Sequence, residues 1–148
     1  MTRFQTLIVA AAMLGSASFA IATLAQDDST TPAAAKVDLR PQLIGAWALA
    51  GSPDSTNAPE PDARIKFFGL NQWSITQSDP ASGELIFHHG GSFTLNGNDY
   101  TETIKYAAES TKALIGNVPK FKIAVDGDTL IQRGVNNDFN ERWVRIKP

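Results

Sequence analysis

A few side chains in the second half of the chain could carry chemistry, namely His88, His89, Glu102 and Glu141. Two carboxylates that face one space are the arrangement that glycosidases use, with one acting as acid and the other as base or nucleophile. Adjacent histidines could bind a metal ion, but neighbouring residues of a strand project to opposite faces of a sheet. We therefore expect neither a metal site nor a cofactor.

Motifs of other enzyme classes are missing from the sequence. It contains no Gly-x-Ser-x-Gly, Ser-x-x-Lys or His-Glu-x-x-His pattern, and its glycine-rich spots are typical of hairpin turns rather than phosphate-binding loops. The absence of cysteine excludes disulfides, cysteine-based zinc sites and thiol catalysis. We expect a protein that is not an enzyme; hydrolase-like chemistry by Glu102, Glu141 and His89 is the alternative.

Length and charge limit the class of protein. The chain has 148 residues, of which 43% are hydrophobic, and this suffices for one domain with a real core. Its formal net charge of −2 is spread along the sequence and provides no basic surface for nucleic acid. A nucleic-acid partner is therefore not expected, and the sequence does not indicate an oligomeric state.

The N-terminal residues 1–25 have the pattern of a secretory signal peptide. Arg3 precedes an apolar run that is shorter than the roughly 20 residues of a spanning helix, and small residues follow it. Cleavage after Ala25 is favoured over cleavage after Ala20, because a polar, acidic stretch begins directly afterwards. We expect an exported protein, periplasmic or secreted, with no membrane span after cleavage.

The remaining chain divides into a leader and a folded domain. Residues 26–42 contain few large apolar side chains and are expected to be flexible, whereas residues 43–148 are expected to form the domain. Apolar residues in this domain alternate with period two, which predicts antiparallel β-structure. Only 108–115 has a briefly helical pattern. The predicted strands are 44–50, 63–69, 72–77, 84–95, 99–107, 118–125, 128–134 and 139–147.

The turn residues predict which side chains share a face. A two-residue turn at Gly97-Asn98 places Leu95 opposite Tyr100 and His89 opposite Tyr106, with Gly90-Gly91 allowing a bend. A two-residue turn at Asp126-Gly127 directs Arg133 outward, although a three-residue turn would reverse this. The predicted inner face comprises Phe67, Trp73, Ile75, Phe87, His89, Phe93, Tyr100, Glu102, Ile104, Tyr106, Phe121, Ile123, Leu130, Gln132, Glu141 and Trp143.

Connection lengths are uneven between the two ends of the predicted sheet. The second, fourth and sixth connections are tight turns, whereas the first, third, fifth and seventh are long. In an up-and-down meander these two sets lie at opposite ends, so one end is closed and the other is ringed by loops. Binding residues are expected near the loop-ringed end. The candidate ligand-binding residues are Phe87, His89, Glu102, Ile104, Tyr106, Phe121, Gln132 and Glu141.

Two sequence patterns resemble those of the calycin group, which includes the lipocalins and the intracellular fatty-acid-binding proteins. They are Gly45-x-Trp47 on the first strand and Glu141-x-Trp143-x-Arg145 on the last. The stretch 43–148 is similar to small exported bacterial lipocalin-like domains, most of them uncharacterised. Further distinctive segments are 66–68, 73–80, 90–95, 99–102 and 127–130.

The resemblance implies an all-β fold, a single eight-stranded antiparallel up-and-down barrel. It also implies that Gly45, Trp47, Trp143 and Arg145 form the barrel floor, with the Arg145 guanidinium across the Trp47 indole. The expected partner is a small apolar or amphipathic molecule held at the loop-ringed end. The alternative is a structural or protein-interaction barrel with a filled core, whose outward Phe68, Ile86 and Val144 would form one patch.

Overall fold

The structure is a computed structural model that describes residues 37–147, so the predicted signal peptide and most of the predicted leader lie outside the described residues. A helical turn, α1, precedes eight strands and a 3-10 helix lies between β5 and β6. The elements are α1 (Arg40–Leu43), β1 (Gly45–Leu49), β2 (Ile65–Phe68), β3 (Gln72–Ser78), β4 (Leu85–Asn96), β5 (Asp99–Ala107), the 3-10 helix (Glu109–Leu114), β6 (Lys120–Asp126), β7 (Thr129–Val135) and β8 (Asn140–Arg145).

The strands form a closed antiparallel barrel in which each strand pairs with the next and β8 pairs with β1. The predicted all-β, up-and-down barrel is therefore confirmed, and the predicted strand ends differ from the observed ones by at most two residues. Closure leaves no unpaired sheet edge and satisfies the backbone without a covering helix. No helix within residues 37–147 is long and apolar enough to span a membrane.

The barrel is closed at the end that carries the short turns. Trp47 is fully buried there, and its indole nitrogen donates a hydrogen bond to the carbonyl of Leu43 at 2.8 Å. The guanidinium carbon of Arg145 lies 4.1 Å from the Trp47 ring centroid, and its nitrogens donate to the carbonyls of Ile44 and Gln42. Arg145 thereby connects the end of β8, the indole and the chain that enters β1.

Helix α1 corrects the predicted boundary of the folded domain. Residues 40–42 were assigned to the flexible leader, but they form the first part of α1, and Leu43 at its end is fully buried. Leu39 also packs against the core. Residues 40–42 separate the two leucines in the sequence, so no apolar run marks this segment as part of the core.

The face of β2 differs from the prediction. Phe67 is 45% exposed, whereas Lys66 and Phe68 point into the barrel and are 2% and 5% exposed. In the sequence Ile-Lys-Phe-Phe both alternations place one phenylalanine inside, so the pattern of β2 alone does not decide which face is buried. The proposed outer patch is therefore also wrong at Phe68.

A β-bulge moves Tyr106 out of the barrel. Gly91 lies opposite Ile104 as predicted, but Gly90 lies opposite Tyr106 and His89 opposite Ala107, so β5 carries one extra residue. Tyr106 is 44% exposed and its ring lies beside that of His88, outside the sheet. A Cβ atom at Gly90 would lie 2.5 Å from the Tyr106 hydroxyl oxygen, so the absent side chain makes room for the tyrosine.

The two predicted turns keep the expected faces. Gly97 and Asn98 connect Asn96 to Asp99, and Gly97 has a φ of 61°. The turn between β6 and β7 lies one residue later than predicted, at Gly127-Asp128, because Asp126 pairs with Thr129. A shift that keeps a two-residue turn preserves which side chains share a face, so Arg133 is exposed and forms an ion pair with Asp54.

Loss of the Arg145 contact should destabilise the closed end. We expect Arg145→Ala to lower the free energy of unfolding by about 2–4 kcal/mol, because Trp47 loses its cover and two carbonyls lose their donor. Arg145→Lys should cost about 1–2 kcal/mol, since an ammonium group lacks the planar fork. Urea denaturation measures both. The control Arg133→Ala removes an exposed ion pair and should change the value by about 0.5 kcal/mol or less; equal effects at both arginines would contradict this role.

Candidate ligand-binding site

A cavity of about 500 Å³ occupies the half of the barrel near the long connections. Its lining includes residues of the β5–β6 and β7–β8 connections, so it opens at the loop-ringed end. This volume lies within the range of small-molecule sites, and most of the lining is apolar. The lining residues are Arg64, Lys66, Trp73, Ile75, Phe87, His89, Glu102, Ile104, Leu114, Asn117, Val118, Pro119, Phe121, Gln132, Asn137, Phe139 and Glu141.

The lower half of the barrel is filled by aromatic side chains. Phe68, Phe93 and Tyr100 contact one another with ring centroids 5.3–5.9 Å apart, and all three are buried. Trp47 lies fully buried in the same core cluster. The barrel therefore has a solid base and a hollow upper part, and a ligand has access only to the upper part.

A buried ion pair lies between the filled and hollow parts. Lys66 Nζ donates hydrogen bonds to Glu102 Oε1 at 2.6 Å and to Gln132 Oε1 at 2.9 Å. The Tyr100 hydroxyl donates to the same Glu102 oxygen at 2.9 Å. A buried charge is tolerated only when it is paired and hydrogen-bonded, and these contacts meet that condition for both ions.

The network continues from Gln132 to the opposite wall. The Gln132 side-chain nitrogen donates to Glu141 Oε2 at 3.1 Å, and the indole nitrogen of Trp143 donates to the same oxygen at 3.2 Å. Gln132 thus bridges the two acidic residues, accepting from Lys66 and donating to Glu141. Each side chain of this network therefore has at least one hydrogen-bond partner within the protein.

Aromatic rings surround the Lys66 ammonium group. Five ring centroids lie 5.1–5.9 Å from Nζ, and they belong to Phe68, Trp73, Tyr100, Phe121 and Trp143. A desolvated cation is attracted to the faces of such rings. The rings therefore stabilise the charge that the carboxylate of Glu102 also pairs.

Burial dominates the acid–base properties of this network. It raises the pKa of Glu102 above its usual range, although Lys66 and the Tyr100 hydroxyl act in the opposite direction. Burial also raises the pKa of Tyr100, and the neighbouring Glu102 adds to this effect. Tyr100 therefore stays a neutral hydrogen-bond donor, which suits its contact with the carboxylate.

His89 is a buried polar residue of the cavity wall. The residue is 8% exposed, and its Nδ1 is buried with no hydrogen bond to any described residue. Its ring packs edge-on against Trp73 and Phe87, at centroid distances of 5.4 and 4.9 Å. Burial, helped by the positive charge of Lys66, lowers the pKa of His89 to about 4, so the ring is neutral at ordinary pH.

Arg64 lies on the cavity wall near the mouth. Its guanidinium carbon is 4.0 Å from the ring centroid of Phe87, and its Nε donates to the Gln77 side-chain oxygen at 3.2 Å. Stacking on a ring holds the guanidinium plane in place and leaves further N–H groups for other acceptors.

Seven of the eight candidate ligand-binding residues line this cavity, and Tyr106 does not. The seven are Phe87, His89, Glu102, Ile104, Phe121, Gln132 and Glu141. The sequence interpretation missed Arg64 and Lys66. An inward Glu102 carboxylate is costly unless a cation pairs with it. A search for that cation could have identified Lys66 on β2.

The residues considered for catalysis or metal binding are occupied or separated. Glu102 and Glu141 line one cavity with His89, but each carboxylate accepts two hydrogen bonds from protein groups. His88 lies outside the sheet beside Tyr106, with a ring nitrogen 3.2 Å from the carbonyl oxygen of Ile75, whereas His89 points inward. The two histidines therefore do not share a site. No cluster of three or more metal-ligating side chains exists among the described residues.

Comparisons with known proteins agree on the fold. A lipocalin-like protein from Bacteroides uniformis matches with a TM-score of 0.53 and 16% identity, over 71% of this chain and 99% of that one. An uncharacterized protein from Bacteroides eggerthii matches with a TM-score of 0.51 and 12% identity, over 70% and 99% of the two chains. No family model and no curated protein matches the sequence. The fold is therefore a lipocalin-like barrel, as the resemblance implied.

Separating Lys66 from Glu102 should be more damaging than removing both charges. We expect Lys66→Met to lower the free energy of unfolding by about 3–5 kcal/mol, because it leaves a buried carboxyl without its cation. The double variant Lys66→Met/Glu102→Gln should recover at least half of this loss. Chemical denaturation measures both.

Lys122→Met is the matched control for this prediction. It removes an exposed lysine that pairs with Asp99 on the outer surface, and it should cost about 1 kcal/mol or less. A Lys66→Met variant that is as stable as this control, or a double variant less stable than the single one, would contradict the pairing argument.

His89 should make the protein less stable in acid. Its pKa is about 4 in the folded protein against a usual 6.5, so between these values the unfolded chain binds a proton that the folded protein excludes. The free energy of unfolding of the wild type should therefore fall, relative to His89→Phe, as the pH decreases from about 6.5 to about 4. Urea titrations at several pH values measure this difference. It should be constant between pH 7 and 8, and parallel curves down to pH 4 would refute the prediction.

Proposed function

We propose that this protein binds a small, mainly apolar molecule in the cavity at the loop-ringed end of its barrel. The observation that carries the proposal is the hollow upper half, since side chains could have filled a barrel of eight strands completely. Apolar walls provide area for affinity, and a few polar groups fix the orientation of a ligand.

The division of the interior supports the same function. The aromatic base and the Lys66–Glu102 network fill the lower part of the barrel, and the upper part encloses the cavity. A structural barrel with a filled core is not favoured, because about 500 Å³ of its interior is empty. The proposed outer patch has lost Phe68 to the interior, which removes one of its three members.

The proposal includes no catalytic step. Both acidic residues of the cavity already accept hydrogen bonds from protein donors, and His89 contacts aromatic rings rather than either carboxylate. A general acid or base must reach the proton that it transfers. These groups are therefore better suited to holding the barrel together and to orienting a ligand.

Export of the protein is a further part of the proposal, and it depends on sequence alone. The pattern of residues 1–25 supports a cleaved signal peptide and a periplasmic or secreted location. A ligand would then be bound outside the cytoplasm.

Filling the cavity should abolish binding. A thermal-shift and native mass-spectrometry screen against lipids, aromatic compounds and pigments should identify at least one binder. Ile104 faces the cavity, and we expect Ile104→Trp to weaken that binder at least tenfold because the larger ring occupies its space. Ile104→Phe is a milder version should the first variant be unstable.

Ile86→Trp is the matched control. Ile86 is half exposed on the outside of β4, so this substitution adds the same ring away from the cavity. It should bind like the wild type. The absence of any binder in the screen, or unchanged affinity in both Ile104 variants, would overturn the proposed function.

A further inference from the structure

We propose that the ligand is an uncharged aromatic molecule carrying a hydroxyl group, and that His89 is the residue that recognises this hydroxyl. This inference rests on the proposed function, because it specifies the molecule that the same cavity would bind. It follows from a contrast between two features of the wall, the paired charged network at the bottom of the cavity and the unpartnered His89.

The charged side chains at the bottom of the cavity are already paired within the protein. Lys66 is paired with Glu102, and Gln132 connects this pair to Glu141. A ligand carboxylate brought to Lys66 would approach the carboxylate of Glu102, and a ligand cation at Glu102 would approach the ammonium group. Either charge would be desolvated beside a like charge, so the network favours a neutral group at the bottom of the cavity, whereas the Arg64 guanidinium lies near the mouth.

His89 is in the opposite state. Its Nδ1 is the buried side-chain atom of the described residues that lacks a hydrogen-bond partner. An unsatisfied buried polar atom costs about 1–3 kcal/mol, and a ligand that supplies the missing partner recovers part of this cost. The ring packs edge-on against Trp73 and Phe87. Because Nδ1 is buried, a ligand hydroxyl meets this atom only after the ring turns about its Cβ–Cγ bond, and no hydrogen bond from a described residue opposes that turn.

The neutral state of the imidazole determines which group suits it. A neutral ring offers one donor and one acceptor nitrogen, and either can be used, depending on the tautomer. A hydroxyl group both donates and accepts, so it matches the ring in either tautomer. A carboxylate only accepts and would also have to be desolvated in a largely apolar space.

The walls around His89 indicate the shape of the rest of the molecule. Trp73, Phe87, Phe121 and Phe139 line the cavity together with His89. Flat rings favour offset-stacked or edge-to-face contacts with other rings, and such pairs gain about 0.5–1.5 kcal/mol beyond the burial of their area. An aromatic ligand therefore gains more from this wall than an aliphatic chain of equal area.

The test compares two probes that differ only in the hydroxyl group, 2-naphthol and 2-methylnaphthalene, by calorimetric titration at pH 7. The measured quantity is the ratio of their affinities. In His89→Phe this ratio should shift at least fivefold against 2-naphthol, as expected for the loss of one hydrogen bond. His89→Gln keeps a donor and an acceptor and should restore part of the preference.

His88→Phe is the control, because it makes the same change one residue away on the outside of the barrel. It should leave the ratio as in the wild type. The charged probe 2-naphthoate should bind at least tenfold more weakly than 2-naphthol. A ratio that is unchanged in His89→Phe, or naphthoate affinity equal to that of naphthol, would overturn the inference.

Failure of this inference can be told apart from failure of the proposed function. If neither naphthalene probe binds but another compound from the screen does, and Ile104→Trp weakens it, then the cavity is a binding site and the assignment to His89 is wrong. If no compound binds, both are wrong.

Discussion

The pairing of Lys66 with Glu102 is the constraint around which the interior of this barrel is organised. Neither ion is tolerable alone in the middle of an apolar space, so each requires the other and the donors and acceptors around them. Tyr100 and Gln132 complete the set. Because the four groups come from β2, β5 and β7, the pair also fixes how these strands are placed across the barrel.

The same pair separates two tasks within one fold. Below it, aromatic side chains and the Trp47–Arg145 contact fill the space and close the base. Above it, the walls surround an open volume whose polar groups are less completely satisfied, His89 above all. If side chains filled the whole interior, no volume would be left for a ligand. In this barrel the side chains fill only one half.

Much of the fold was predictable because local signals agreed with one another. Period-two alternation located all eight strands. The turn at Gly97-Asn98 gave the correct pairing of β4 with β5 between the turn and Gly91. Where the alternation of a strand was compatible with either face being buried, an interaction with a residue distant in the sequence determined which face points inward. Lys66 is inside because Glu102, far away in the sequence, needs a cation, and Tyr106 is outside because β5 carries an extra residue opposite Gly90. Neither requirement can be read from its own segment.

The glycine pair on β4 has a consequence for how this protein could diversify. A Cβ atom at Gly90 would lie 2.5 Å from both the Trp73 carbonyl oxygen and the Tyr106 hydroxyl oxygen, and one at Gly91 would collide with the backbone of Thr103. A side chain therefore cannot be introduced at either glycine without moving β4 away from its neighbouring strands. Changes in ligand preference along an evolutionary lineage would have to arise at inward positions such as Ile104 or in the rim loops, while the β4–β5 seam stays as it is.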